Sequence, residues 1–93
     1  MKPQFLVHHE GDNLGVAVVD IKTGDKIAGA CLENGAQFKI EAQDGIPLGH
    51  KVALKELKKG DDGIKYGISI GRATKSITAG SHVHVHNLKS NRW

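Results

Sequence analysis

Glycine accounts for 12 of the 93 residues and is spaced so that most apolar segments run five or six residues before one interrupts them. A helix needs a longer stretch with apolar residues every three or four positions, and no such stretch is found. The chain therefore reads as a set of short strands joined by tight turns. A local phrase recurs in "DIKTGDKI" (20–27), "ELKKGDDGI" (56–64) and "SITAGSHV" (76–83), with an apolar residue (Ile21, Leu57, Ile77) three positions before a glycine. Gly24, Gly60 and Gly80 are expected at positive φ, which is costly for any residue carrying a Cβ, with a strand following each turn. The spacing of the phrases is too irregular for a solenoid.

The expected strands are 5–9, 14–21, 26–32, 37–42, 50–57, 64–71 and 82–87, with at most a helical turn within 52–60 that Gly60 would end. Ninety-three residues make one domain, and a chain of this size buries about 60 to 65% of its unfolded surface, which leaves little room for an enclosed cavity. Any catalytic site is expected to be shared with a partner. Thirteen basic and ten acidic residues are scattered along the chain, and only Phe5, Phe38, Tyr66 and Trp93 are aromatic. This lacks the basic stripe and stacking platforms of a nucleic-acid binder. No apolar run reaches the roughly 20 residues needed to cross a bilayer, and no signal peptide is recognisable at the amino terminus. A soluble, cytoplasmic protein is expected. Cys31 stands alone and is expected in the core.

Three segments carry chemistry. In "SHVHVHN" (81–87) an extended backbone would put His82, His84 and His86 on one face and turn Val83 and Val85 inward. Same-face neighbours in a strand stand about 6.5 to 7 Å apart, so two imidazoles can meet on one divalent ion. The competing reading is an inert polar edge, and His82, next to a turn, is the weakest of the three as a ligand. In "PLGHKVAL" (47–54) Gly49 clears space before His50 and Lys51, which offer a near-neutral acid/base and a cation; the plain alternative is an exposed strand entry. In "IKYGISIG" (64–71) Lys65 and Tyr66 can donate to an oxyanion, against the simpler role of Tyr66 as core filler. His8 and His9 are expected on the surface.

Together, and in this order, "IPLGHKVAL", "IKYGISIG" and "HVHVHN" resemble the small SAF domain of the altronate and galactarate dehydratase family, and also the small alpha subunit of sulfolactate sulfo-lyases. The resemblance runs from "FLVH" to "HNLKSNRW". It implies a mainly β, β-clip domain spanning 1–93. It also implies part of a lyase that removes water or sulfite from a 2-hydroxy acid. His84 and His86 would hold a divalent metal, iron(II), with Asn87 beside them. His50, Lys51, Lys65 and Tyr66 would serve substrate binding or proton transfer. The partner would be a large catalytic subunit, since the single-chain dehydratases continue into a much larger region where this sequence stops at Trp93; homo-oligomerisation stays open. "DGI" at 62–64 departs from the family's pattern, and Gly63 is expected to loosen that turn. Two other readings stand beside this one: a sugar-acid binding or assembly module, and a metal carrier using the histidines alone.

Overall fold

A computed structural model describes residues 2–91, so Met1, Arg92 and Trp93, with the last two positions of "NLKSNRW", lie outside it. Nine strands follow in chain order: β1 Phe5–Val7, β2 Leu14–Ala17, β3 Lys26–Cys31, β4 Gln37–Glu41, β5 Lys51–Ala53, β6 Asp62–Lys65, β7 Ile68–Ala73, β8 His82–Val83 and β9 Leu88–Ser90. Among the described residues there is no helix, so the mainly β expectation holds and the helical turn within 52–60 is absent. One sheet has the order β4-β3-β1-β2-β5-β8 and the other β6-β7-β9. Every pairing is antiparallel except β1 with β3, whose register sets Phe5 beside Gly29.

Four copies of one turn organise the molecule, one more than the sequence suggested. Gly24, Gly49, Gly60 and Gly80 have φ between +87° and +93°. Each donates its N–H at 2.8 Å to the carbonyl of a buried alanine, respectively Ala42, Ala17, Ala73 and Ala53. The residue after each glycine (Asp25, His50, Asp61, Ser81) donates to the carbonyl three positions back and accepts from the same alanine's N–H. This is a type II turn, whose third position requires positive φ, pinned to a neighbouring chain by two hydrogen bonds. The additional copy, "IPLGHK", has its glycine followed directly by His50 and Lys51.

The apolar residue three before each glycine is buried, and these residues pair: Ile21 with Ile46, Leu57 with Ile77, each pair exchanging two backbone hydrogen bonds of 2.8 or 2.9 Å. Each pair joins one of two apolar clusters, the first built around Phe5, Val7, Ile27 and Val52, the second around Leu14, Ala53, Val83 and Leu88. Cys31 is buried in the first cluster, as expected. The ring of Phe5 lies where a side chain on Gly29 would stand.

Several expected strands are shorter or divided: 5–9 is extended only at Phe5–Val7, 14–21 at Leu14–Ala17 and 50–57 at Lys51–Ala53. The 64–71 segment is two strands, because Tyr66 (φ +56°) and Gly67 (φ +74°) reverse the chain between β6 and β7. The 82–87 segment is extended only at His82–Val83. Gly63 loosens no turn. It lies within β6 at a register shift, buried against Leu14 and Leu88, where a Cβ would crowd both leucines at 3.0 and 3.1 Å.

Candidate metal centre and adjoining groove

His50 owes its position to the repeated turn. In two of the four copies the residue after the glycine is an aspartate that caps its own turn: Asp25 accepts from Lys22 N–H at 3.0 Å, and Asp61 from Lys58 N–H at 2.8 Å. In the His50 copy the residue to be capped is Pro47, which has no N–H. Nothing there requires a carboxylate, and an imidazole can occupy the place without leaving a donor unsatisfied.

His82 begins β8, which pairs with β5 so that His82 stands opposite Val52 and Val83 opposite Lys51. His50, one residue before β5, thus meets His82 across the sheet despite a separation of 32 positions. His50 Nδ1 and His82 Nε2 are 2.9 Å apart. A nitrogen-to-nitrogen hydrogen bond needs one ring to accept, so this contact exists only while one of the two is neutral there.

The chain then departs from the expected strand. Asn87, 5% exposed, accepts from His84 N–H at 3.0 Å and donates to His82 O at 2.8 Å, while Asn87 and Leu88 both donate backbone N–H to His84 O. These bonds curl residues 84–87 into a turn. Val83 points inward at 0% exposure, but Val85 is 81% exposed, which corrects the expectation that both valines face the core. Asn87 fastens this turn. The His84 ring still comes within 4.6 Å of His50 and 5.8 Å of His82, measured between centroids.

One ligand nitrogen from each of His50, His82 and His84 lies within 4.8 Å of the others. Two nitrogens bound to one ion at 2.0 to 2.1 Å stand ~2.9 to 3.4 Å apart, for right-angled to tetrahedral geometry. The 2.9 Å contact already has that spacing, so the three donors fit a divalent transition metal after a modest movement of His84. His86 is not in this group; its ring lies 5.3 Å from that of His82. His84 and His86 do not share a strand face, since the strand ends at Val83; the ring nitrogens that lie together are those of His50, His82 and His84, and His82 was the weakest of the three alternating histidines on sequence alone. His82 follows the Gly80 turn, which is pinned to Ala53 at the end of β5, but no local signal in the sequence set it above His86.

Burial, and then the neighbouring His50, His86 and His84 rings, lower the pKa of His82 below its ordinary 6.5, with Asp44 opposing. The folded chain therefore takes up this proton less readily than the unfolded chain. The associated stability is intact above about pH 6.5 and is lost as pH falls through the lowered folded value. Metal-free protein is expected to show a thermal midpoint that declines between pH 7 and 5, a decline His82→Ala removes. An unchanged decline in that variant would place its origin elsewhere.

Beside the triad runs a groove of about 780 Å³ walled by Lys51, Lys65, Tyr66, His84 and Lys89 over a floor of Ile70, Val83 and Leu88. Its lining contains three lysines and no carboxylate. Burial, followed by the Lys51 ammonium, lowers the pKa of Lys65, with Asp12 opposing. Cations gathered along a lining that holds no carboxylate suit an anionic guest. His50, Lys51, Lys65 and Tyr66, expected as site residues, therefore all lie along or beside one surface. A second cavity of about 370 Å³, against β3 and β4, is lined by Gln4, Ile27, Ala28 and Ile40 among others and holds no histidine. No helix among the described residues is long and apolar enough to cross a membrane.

The family model for the altronate/galactarate dehydratase SAF domain matches residues 3–91. The chain is 40% identical over 94 aligned positions to the (2R)-sulfolactate sulfo-lyase subunit alpha of Chromohalobacter salexigens, covering all of both chains. Its identity to the subunit of the same name from Paracoccus pantotrophus is 48% over 60 residues, 64% of this chain and 90% of that one. It is also 39% identical over 87 residues to the altronate dehydratase of Bacillus subtilis, which covers 94% of this chain but only 16% of the enzyme.

Proposed function

Since the chain belongs to the altronate/galactarate dehydratase SAF-domain family, we propose that it is the small subunit of a lyase that eliminates water or sulfite from a 2-hydroxy acid. Its site is completed by a large subunit. The observation that carries this reading is the convergence of His50, His82 and His84 at the rim of a groove whose charged side chains are all cationic. The full-length match to a sulfo-lyase subunit alpha favours sulfite as the leaving group.

In such an elimination the proton on the carbon bearing the carboxylate is removed and the β-substituent departs. The resulting enol tautomerises to a 2-keto acid. The weakly acidic proton makes stabilisation of the enolate the central demand. Lys51 and Lys65 hold the substrate carboxylate as cations. Their mutual repulsion in the free protein is relieved when the anion arrives, which adds to affinity. Val83, Leu88 and Ile70 exclude water from one side of the groove and strengthen those charge interactions. His50, His82 and His84 are the residues that would hold iron(II), which when bound supplies Lewis acidity toward the substrate oxygens. His86 stands outside that set.

The test is co-expression with a large dehydratase-like chain and assay on sulfolactate, altronate and galactarate. Pyruvate with equimolar sulfite, or a 2-keto-3-deoxy acid, is expected only when both chains are present. Full activity from the large chain alone would refute the shared site.

A further inference from the structure

Tyr66 and Gly67 form the two-residue connection between β6 and β7, closed by the Lys65–Ile68 pair, and both have positive φ. That is the pattern of a type I′ hairpin turn, whose first position normally falls to Asn, Asp or Gly. Tyr66 is the one non-glycine residue with positive φ among those described. Its side chain is 51% exposed, so core packing does not explain why a bulky residue is held there. Strain that burial does not reward is a mark of a side chain kept for its position.

The restraint comes from Asp12, in the connection between β1 and β2 and only 8% exposed. Its Oδ2 accepts from Tyr66 N–H at 2.9 Å and His9 N–H at 3.1 Å, and its Oδ1 from Gly67 N–H at 2.8 Å. Asn13 beside it accepts from Ile64 N–H at 2.6 Å and donates to Asp62 O at 2.9 Å, fastening the hairpin's first strand as well. The tyrosine ring, so held, stacks on His8 at 3.9 Å and 13°, with Lys65 Nζ 4.7 Å from its centroid. Tyr66 and Lys65 both line the groove that holds Lys51 and His84.

We propose that Asp12 is a positioning residue that fixes Tyr66 in the groove wall, where the phenol donates a hydrogen bond to the carboxylate of a small organic anion held by Lys51 and Lys65. This rests on the reading of the groove given above. An asparagine at position 66 would satisfy the turn with less strain but could not extend a hydroxyl; phenylalanine would keep the ring and lose the donor.

The experiment is titration of the whole chain with malonate against chloride at equal ionic strength, followed by NMR, for wild type, Asp12→Asn, Tyr66→Phe and the double variant. Each single change is expected to weaken malonate binding about tenfold, the effect of losing a hydrogen bond to a charged group. The double variant should bind no more weakly than either single one, because both remove the same contact. The upfield ring shift from the stack of residue 66 on His8 should be lost in Asp12→Asn and kept in Tyr66→Phe. Wild-type affinity in either single variant, or losses that multiply in the double variant, would overturn the inference. A wild-type chain that does not distinguish malonate from chloride would instead defeat the groove reading, while the ring shift in Asp12→Asn would still decide whether Asp12 holds Tyr66.

Discussion

Replacing His50 with serine is expected to cost the isolated chain at least the roughly 10- to 100-fold in divalent-metal affinity that loss of even an outer-shell partner costs, with little change in thermal midpoint. Serine is the informative replacement because the molecule uses it: Ser81 occupies the same place in the Gly80 turn, with the same backbone hydrogen bonds. The turn around Gly49 should therefore form unchanged. His82→Ala should lower affinity by a similar factor, whereas His86→Ala should leave it within about twofold, because the His86 ring stands outside the three-nitrogen group. Calorimetric titration with iron(II) under anaerobic conditions, or with zinc, gives these affinities. Should His86→Ala prove as damaging as His50→Ser, the ligands would be those of the extended-strand reading and the triad would be abandoned.

A second large effect separates two glycines of nearly identical conformation. Gly24 and Gly80 have φ of +89° and +87° in equivalent turns. A Cβ on Gly24 meets nothing within 4 Å, while one on Gly80 would collide with the carbonyl oxygen of Glu41. Gly24→Ala should therefore cost only the left-handed backbone penalty, about 1–2 kcal/mol. Gly80→Ala should cost roughly 2–5 kcal/mol, because forcing backbone apart in a packed region adds about 1–3 kcal/mol to the same penalty. Against the 5–15 kcal/mol typical of a small domain, that is a large share. It should also loosen β8 and the His82 contact two residues on. Chemical denaturation of the two variants measures the difference, and equal costs would show that close approach at Gly80 does not matter.

The strand class was legible because its signals are local. Three of the four turns could be read from an apolar residue, two spacers and a glycine, since the steric demand at the glycine does not depend on the rest of the molecule. Strand ends were less legible. Nothing in "IKYGIS" announces that a tyrosine will take positive φ; the cause is Asp12, more than fifty positions away. The alternation of His82, His84 and His86 suggested one face of one strand, yet Asn87 curls the backbone after Val83. A side-chain bracket of that kind competes with strand extension and leaves no periodic trace.

The candidate site divides in the same way. Local sequence marked His50, Lys51, Lys65, Tyr66 and His84 for attention, through residue type and neighbouring glycines. It could not rank His82 above His86, nor find Asp12, because those depend on which segments lie side by side.

By itself the sequence determined the strand-and-turn character, the positive-φ glycines of the turns it revealed and the family resemblance, all of which rest on the conformational limits of neighbouring residues. Tertiary structure decided which imidazoles meet. Pairing of β5 with β8 brings His50 to His82 through backbone hydrogen bonds between segments some thirty residues apart, and no property of either segment alone fixes that register.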